Sequence, residues 1–423
     1  MLFGEHLKND STSQHSEIAR RIQTPGGAMI TRRFGRTELA MPVFSCGGMR
    51  YQQSWKDEPG EAIDPANQAN LEATIGRALE LGINHIETAR GYGSSEAQLG
   101  RILPRLPREK LIVQTKVAPQ ETGEKFLEVF NTSMERLQLE YVDLLSLHGI
   151  NTPELLASSL KPGGSLEAAR QLQREGRVRF VGFSTHAPCS VILQAIRTGE
   201  FDYLNLHWYW IFQENWPAIE EAQMQDMGVF IISPNDKGGK LYEPPEKLSR
   251  LCEPLHPMAF NDLWCLSHPE VHTLSLGASR PSDFDTHIEA LQSIKAPTKP
   301  WEVIDCRLTT EMRNVLGVDW MERCFDGVPE WETLPGEINI RMILRLWNLD
   351  EALGMRVYAK MRYNLLGQGG HWFPGKNAEA FDEKSLLAAL PDYPFKDRIP
   401  AILHEAHARW FDKPAERLSK SSD

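Results

Sequence analysis

The chain reads as an α/β protein: a (β/α)8 TIM barrel with an N-terminal β-hairpin, followed by an all-helical C-terminal appendage. Three observations predict this. Strand-like and helix-like segments alternate from about residue 43 to residue 294. The strand-like segments are near-continuous apolar runs (LIV, VDLL, GVFII), as for parallel strands buried on both faces. Counted from VFSCGG, eight strand–helix units span roughly 250 residues, the size and order of such a barrel.

Taken in order, residues 1–29 are polar and aperiodic and are expected to form a disordered tail. The segment ITRRFGRTELAMPVFSCGG predicts two short strands about Gly35, Arg36 and Thr37, a hairpin, then a third strand running into a Gly-Gly turn. Residues 51–64 read as a long loop. Helix 68–81, strand 84–88, helix 94–102, strand 111–116, helix 123–137 and strand 142–147 follow from the apolar periodicity. Helix 166–175, strand 178–183, helix 188–198, strand 203–206, helix 216–225 and strand 229–232 continue the alternation. An insertion at 241–256, helix 258–266, strand 271–276 and helix 281–294 complete it. The barrel domain is therefore set at 30–296. APTKPWE is expected to be a proline-broken linker, and 297–423 a helical domain whose last dozen residues fray. A doubly wound sheet is the alternative, but no G-x-G-x-x-G follows its first strand, and GYGSSE at 91–96 lacks the third glycine.

Composition narrows the function classes. Hydrophobic residues make up 41% and charged residues 24%, the balance of a soluble globular protein. A net charge of −11 argues against nucleic acid or an anionic membrane as main partner. No apolar run approaches membrane-spanning length and the N-terminus lacks a signal-peptide core. The six cysteines are scattered without a C-x-x-C, which suits reduced thiols in the cytoplasm.

In a barrel of this kind, residues at the C-terminal ends of the strands converge on one mouth. Glu87, Lys116 and His148 end three successive predicted strands, and Tyr92 lies five residues past Glu87. A tyrosine is a poor acid at neutral pH, with a reference pKa of about 10, but a nearby ammonium favours the phenolate. A carboxylate paired with the lysine keeps the ammonium charged and in place. An imidazole can orient a carbonyl oxygen or relay its proton. The set suits protonating an oxygen on which negative charge develops.

The pattern H-I-E-T-A-x-x-Y-G, T-K at a strand end and D-L-L-x-L-H resembles the aldo-keto reductases over about residues 32–294. The resemblance implies that Tyr92 donates the proton, Lys116 lowers its pKa and His148 orients the carbonyl. Glu87 stands where the family has aspartate, so a longer side chain must be accommodated by a strand shift or another lysine rotamer. NADP(H) is the implied cofactor. In GASRPSDFDTHIEAL, Ser279 and Arg280 would hold the 2′-phosphate, with Asp283 and His287 near the adenine; a helix start with an arginine suits an anion. Ser184 and Thr185 resemble the family's pair on the nicotinamide amide, and Asn205 replaces a glutamine there. Ser233 and Gly238 match the pyrophosphate loop, Ile232 stands in for the usual aromatic platform, and Gly48 and Met49 would lie along the ribose. For the substrate, Tyr51, Trp55, Trp208 and Tyr209 either line the mouth, favouring an apolar or aromatic carbonyl compound, or pack against the C-terminal helices.

Residues 320–340 and 371–407 resemble the C-terminal part of a longer branch of the family, which carries a ferredoxin-like region with iron–sulfur clusters. A four-iron cluster needs four thiolates, and after residue 320 only Cys324 is left. No iron–sulfur cluster and no metal site is expected; HEAH at 404–407 lacks the H-E-x-x-H spacing. The region would act as a lid or as a docking surface for a protein partner. The implied function is NADP(H)-dependent reduction of small aldehydes or ketones. A catalytically weak or inactive NADP(H)-binding regulatory protein on the same barrel is the alternative.

Overall fold

A computed structural model describes residues 29–56, 62–294 and 297–415. Residues 1–28 of the expected tail, part of the loop after residue 51, Lys295, the first residue of the expected linker (Ala296) and the last eight residues lie outside the described residues.

Eight parallel strands close in the order β10-β3-β4-β5-β6-β7-β8-β9. They are β3 (Phe44–Gly47), β4 (His85–Glu87), β5 (Ile112–Val117), β6 (Val142–His148), β7 (Val178–Ser184), β8 (Tyr203–Leu206), β9 (Gly228–Ile231) and β10 (Thr273–Leu276). Nearly every strand residue is buried, because the outer face packs on helices and the inner face fills the barrel. The closed ring excludes the doubly wound alternative. The hairpin β1 (Thr31–Arg33) and β2 (Ala40–Pro42) plugs the N-terminal end. Its Phe34 is fully buried, with ring centroids 5.7 Å from both Tyr203 and His272. With the bottom sealed, the cavity opens at the C-terminal strand ends.

Helices follow the strands at the expected places, and local chemistry fixes their starts. Thr122 accepts a hydrogen bond from Lys125 N at 3.2 Å to cap the helix Gly123–Leu137, and Asp64 caps Pro65–Glu80 through Ala66 N at 3.1 Å. Two helices arise inside segments read as irregular: Pro153–Leu160, capped by Thr152, and Glu246–Cys252 within the expected insertion. Proline also starts a helix where a linker was expected. Pro300 occupies the first turn of Pro300–Leu316, and Trp301 beside it is buried. A proline at that position removes only an N–H that would have no intrahelical partner.

The C-terminal region packs directly on the barrel. Trp210 Nε1, after β8, donates to Asp305 Oδ1 at 2.6 Å. The remaining helices are Val318–Arg323, Ile340–Leu353, Arg356–Tyr363, Glu383–Ala388 and Ile399–Trp410. Past the last helix the chain stays tied down, since Asp412 N donates to Asn364 Oδ1 at 3.2 Å and Ala415 N to Asn364 O at 2.9 Å. Residues 412–415, expected to fray, are therefore held against the helix Arg356–Tyr363 and its C-terminal end. Among the described residues no helix is long and apolar enough to cross a membrane.

Candidate active site

Glu87 and Lys116 end neighbouring strands whose register sets Glu87 opposite Gln114, two residues before Lys116. That stagger brings the lysine up beside the acid. Lys116 Nζ donates to Glu87 Oε2, to Thr88 O at 2.9 Å and to Tyr92 OH at 3.3 Å. Burial works against the ammonium, but the charges of Glu87 and Tyr92 outweigh it, and the Lys116 pKa is raised. The lysine is thus held as a cation with its charge directed at the phenol. The Tyr92 ring stands edge-on to His148, with centroids 5.8 Å apart. Tyr92 is carried by a tight turn in which Gly93 has φ +53°, and a Cβ at Gly93 would fall 2.0 Å from Ser54 O. The loop after β3 therefore braces the turn from outside.

These four groups face a cavity of about 620 Å³. Ser184, Ser275 and the segment 277–280 also line it, as do Met49, Ile232, Ser233, Asp283 and His287. Arg50, Asp236 and Tyr242 form its outer rim. Arg50 Nη2 donates to Asp236 Oδ1 at 2.7 Å, and Tyr242 OH donates to the same oxygen at 3.0 Å. Among the described residues no group of three or more His, Cys, Asp and Glu could hold a metal ion. Cys324 is buried, its Sγ accepting from Asn348 Nδ2 at 3.4 Å.

The model of the Aldo/keto reductase family matches residues 44–207, which carry β3 to β8 and all four of these groups. Residues 44–207 form an aldo/keto reductase family domain. The chain is similar to L-galactose dehydrogenase of Arabidopsis thaliana, 31% identical over 204 residues, which are 44% of this chain and 62% of the relative. It is similar to the NADH-specific methylglyoxal reductase of Escherichia coli strain K12, 28% identical over 31% of this chain and 45% of the relative. The match spans less than two thirds of either relative. Among solved structures, the holo form of aldo-keto reductase AKR11C1 from Bacillus halodurans is similar in fold. It has a TM-score of 0.55 at 21% identity, covering 66% of this chain and 96% of that one.

Several of the sequence-predicted cofactor residues line the cavity. Ser279 N donates to Asp283 Oδ2 at 2.8 Å and Arg280 Nε to Asp283 Oδ1 at 3.0 Å, so the aspartate shapes the loop that presents the arginine. The Arg280 side chain is 71% exposed. His287 lines the cavity but its Nδ1 is bonded to the buried carboxylate of Asp262, leaving it less free than the sequence suggested. At the inner end, Ser184 Oγ accepts from Gly149 N at 3.2 Å. Asn205, fully buried on β8 and paired in register with Ser184, does not itself line the cavity, and neither of its amide atoms is hydrogen-bonded among the described residues. A buried carboxamide with both ends unanswered fits a ligand amide, as on a nicotinamide ring.

Other predicted residues lie elsewhere. Thr185 is turned to the backbone, donating to Ile150 O at 2.7 Å and accepting from Ala187 N at 2.9 Å. Gly48 and Gly238 do not line the cavity; they are sites of close backbone approach. A Cβ at Gly48 would fall 2.8 Å from Glu87 O, and one at Gly238 1.7 Å from Pro234 O.

The aromatic residues expected to meet substrate are mostly core. Trp208 stacks on Trp264 with centroids 4.4 Å apart, Tyr209 donates to Ile232 O at 2.6 Å, and Tyr51 is fully buried. Burying such large rings outside the mouth is the more favourable use of their area. Trp55 alone stays near the chemistry, edge-on to Tyr92 at 6.4 Å. Sequence reasoning missed Arg50, Ser275, His186, Lys237 and Trp372, all of which line the cavity. Lys237 sits inside the loop already singled out between Ser233 and Gly238, and Arg50 directly follows Met49; Trp372 gave no local signal.

Proposed function

We propose that this chain is an NADP(H)-dependent reductase of aldehydes or ketones. The observation that carries the reading is the Lys116 ammonium, shared between the Glu87 carboxylate and the Tyr92 hydroxyl at the floor of the cavity. Cofactor-sized space lined by Ser184, with the unanswered Asn205 amide next to it on the neighbouring strand, supports a nicotinamide at the inner end. Ser233, Ser279 and Arg280 would bind the phosphates. When bound, NADPH supplies a hydride equivalent to the carbonyl carbon.

This chain's residues do the rest. Tyr92 OH donates its proton to the carbonyl oxygen as the C=O bond becomes C–OH. Lys116 stabilises the phenolate left behind, a charge that a buried ammonium offsets far better than water-screened groups would. Glu87 holds Lys116 charged, so the pair is not itself consumed. His148, edge-on to Tyr92, orients the carbonyl oxygen toward the phenol. Six free cysteines support a reducing, cytoplasm-like compartment as the place of action.

Titrating NADPH by its nicotinamide fluorescence, alone and with a panel of aldehydes and ketones, tests this. Binding followed by oxidation of NADPH in the presence of a carbonyl compound is expected. Binding without turnover on any carbonyl would favour a cofactor-binding regulatory protein.

A further inference from the structure

The helical C-terminal region reaches into the mouth of the barrel. In the short turn Gly370–Trp372, the Trp372 indole is 5% exposed and lines the same cavity as Tyr92 and Lys116. Its ring stands 5.4 Å from that of His148 at 72° and 4.7 Å from that of His186 at 88°. Gly149 lies directly beneath. It has φ +88°, and a Cβ there would come within 2.6 Å of the indole, so both the backbone and the ring require glycine.

The placement is fixed from several sides. His371 Nδ1 is 2.9 Å from Asn151 Nδ2, and Asn151 Oδ1 accepts from His186 N at 2.7 Å. One buried asparagine therefore ties together the loops after β6 and β7 and the turn that carries Trp372. From the helix Arg356–Tyr363, Tyr358 OH donates to Lys237 O at 2.6 Å and holds the loop after β9. Lys237 Nζ in turn lies 3.0 Å from His186 Nε2 and 3.4 Å from His207 Nε2.

We infer that Trp372 is a specificity-determining residue: with His186 and Lys237 it roofs the substrate end of the cavity and selects compact, hydroxyl-bearing carbonyl compounds over bulky apolar ones. The inference rests on the reductase reading. An indole bordered by hydrogen-bonding groups suits a small polyhydroxylated chain, whose C–H bonds pack on the ring while its hydroxyls answer the imidazole and ammonium. A bulky apolar group would have to displace the indole and shut water away from the Lys237 ammonium without replacing its solvation. Tyr51, Trp208 and Tyr209, which would have made an apolar wall, do not line the cavity.

The full chain is assayed with NADPH as wild type, Trp372→Ala and Trp372→Phe, on glyceraldehyde and 2-naphthaldehyde. Trp372→Ala is expected to shift the ratio of kcat/KM about tenfold toward 2-naphthaldehyde, mainly through KM, with NADPH affinity unchanged. Trp372→Phe shifts it less and in the same direction, and decides alone should the alanine variant not fold. An unchanged ratio, or an equal loss on both aldehydes, overturns the inference. If the wild type reduces neither, the reductase reading fails separately. Saturation-transfer NMR of the two aldehydes on the NADPH-loaded chain then decides. A glyceraldehyde preference that is lost in the variants supports the roof; equal signals in wild type and variants overturn it.

Discussion

Ser275 Oγ donates a hydrogen bond to Glu87 Oε1 at 3.0 Å, reaching from β10 across β3 to β4. The strand between them contributes Gly47, where a Cβ would fall 2.7 Å from Ser275 Oγ and 3.2 Å from Glu87 Oε1. A glutamate thus occupies a place made by a glycine and a serine, with one oxygen on Ser275 and the other on Lys116. Ser275→Ala is expected to free one oxygen and lower kcat about tenfold, with NADPH affinity unchanged. Gly47→Ala, which also presses on the backbone at Leu276, should cost more. Steady-state kinetics beside fluorescence titration separates the two effects.

The Lys116–Glu87 pair is buried, with side chains 1% and 4% exposed. Removing one partner leaves an uncompensated charge in a low dielectric. Lys116→Met is therefore expected to lower stability by about 3–5 kcal/mol as well as abolish turnover. Urea unfolding at pH 7 checks the first effect. A variant as stable as wild type would mean that Glu87 finds another cation or takes up a proton.

Deeper in the barrel, His85 Nδ1 lies 2.6 Å from Ser45 Oγ and Nε2 3.1 Å from Gln114 Oε1. Burial pushes the imidazole down to about 3, a shift that the Gln114 hydrogen bond opposes and the nearby Lys116 charge assists. The folded protein keeps this histidine neutral while the unfolded chain protonates it below a pKa of about 6.5. Stability is then present above that value and falls by about 1.4 kcal/mol per pH unit as pH drops toward the folded pKa. His85→Gln removes the linkage. The gap between wild type and variant in denaturant melts should narrow from pH 7 to pH 5 by roughly 1–2 kcal/mol; a constant gap would contradict it.

At the outer end of the cavity, Arg280 is presented by Asp283 with its guanidinium largely in solvent. Arg280→Ala is expected to weaken NADPH about tenfold and leave NADH unchanged, because only the former carries a 2′-phosphate for the guanidinium. Parallel titrations of both nucleotides measure this.

The barrel was legible because its strands are short apolar runs at even spacing, and because Glu87, Lys116 and His148 each end one. Strand ends in such a barrel share a single mouth, so order along the chain becomes neighbourhood in space. What stayed hidden depends on contacts between distant segments. Trp372 is more than two hundred residues from the His148 ring it covers, and Ser275 meets Glu87 only because the barrel closes β10 onto β3. The run HWYWIF misled for a related reason: aromatic content marks burial but not direction, and Trp208 and Tyr209 spend their area on the core. Only the first turn of the helix Pro300–Leu316 was obscured, by the proline that begins it.

The central claim is that the phenol of Tyr92 delivers a proton to a carbonyl oxygen under the charge of Lys116. Tyr92→Phe removes the hydroxyl and little else. NADPH oxidation on the best carbonyl substrate should fall at least about a thousandfold, with the fluorescence-measured affinity for NADPH within about twofold of wild type. A variant that keeps turning over at a rate near the wild type would contradict the claim.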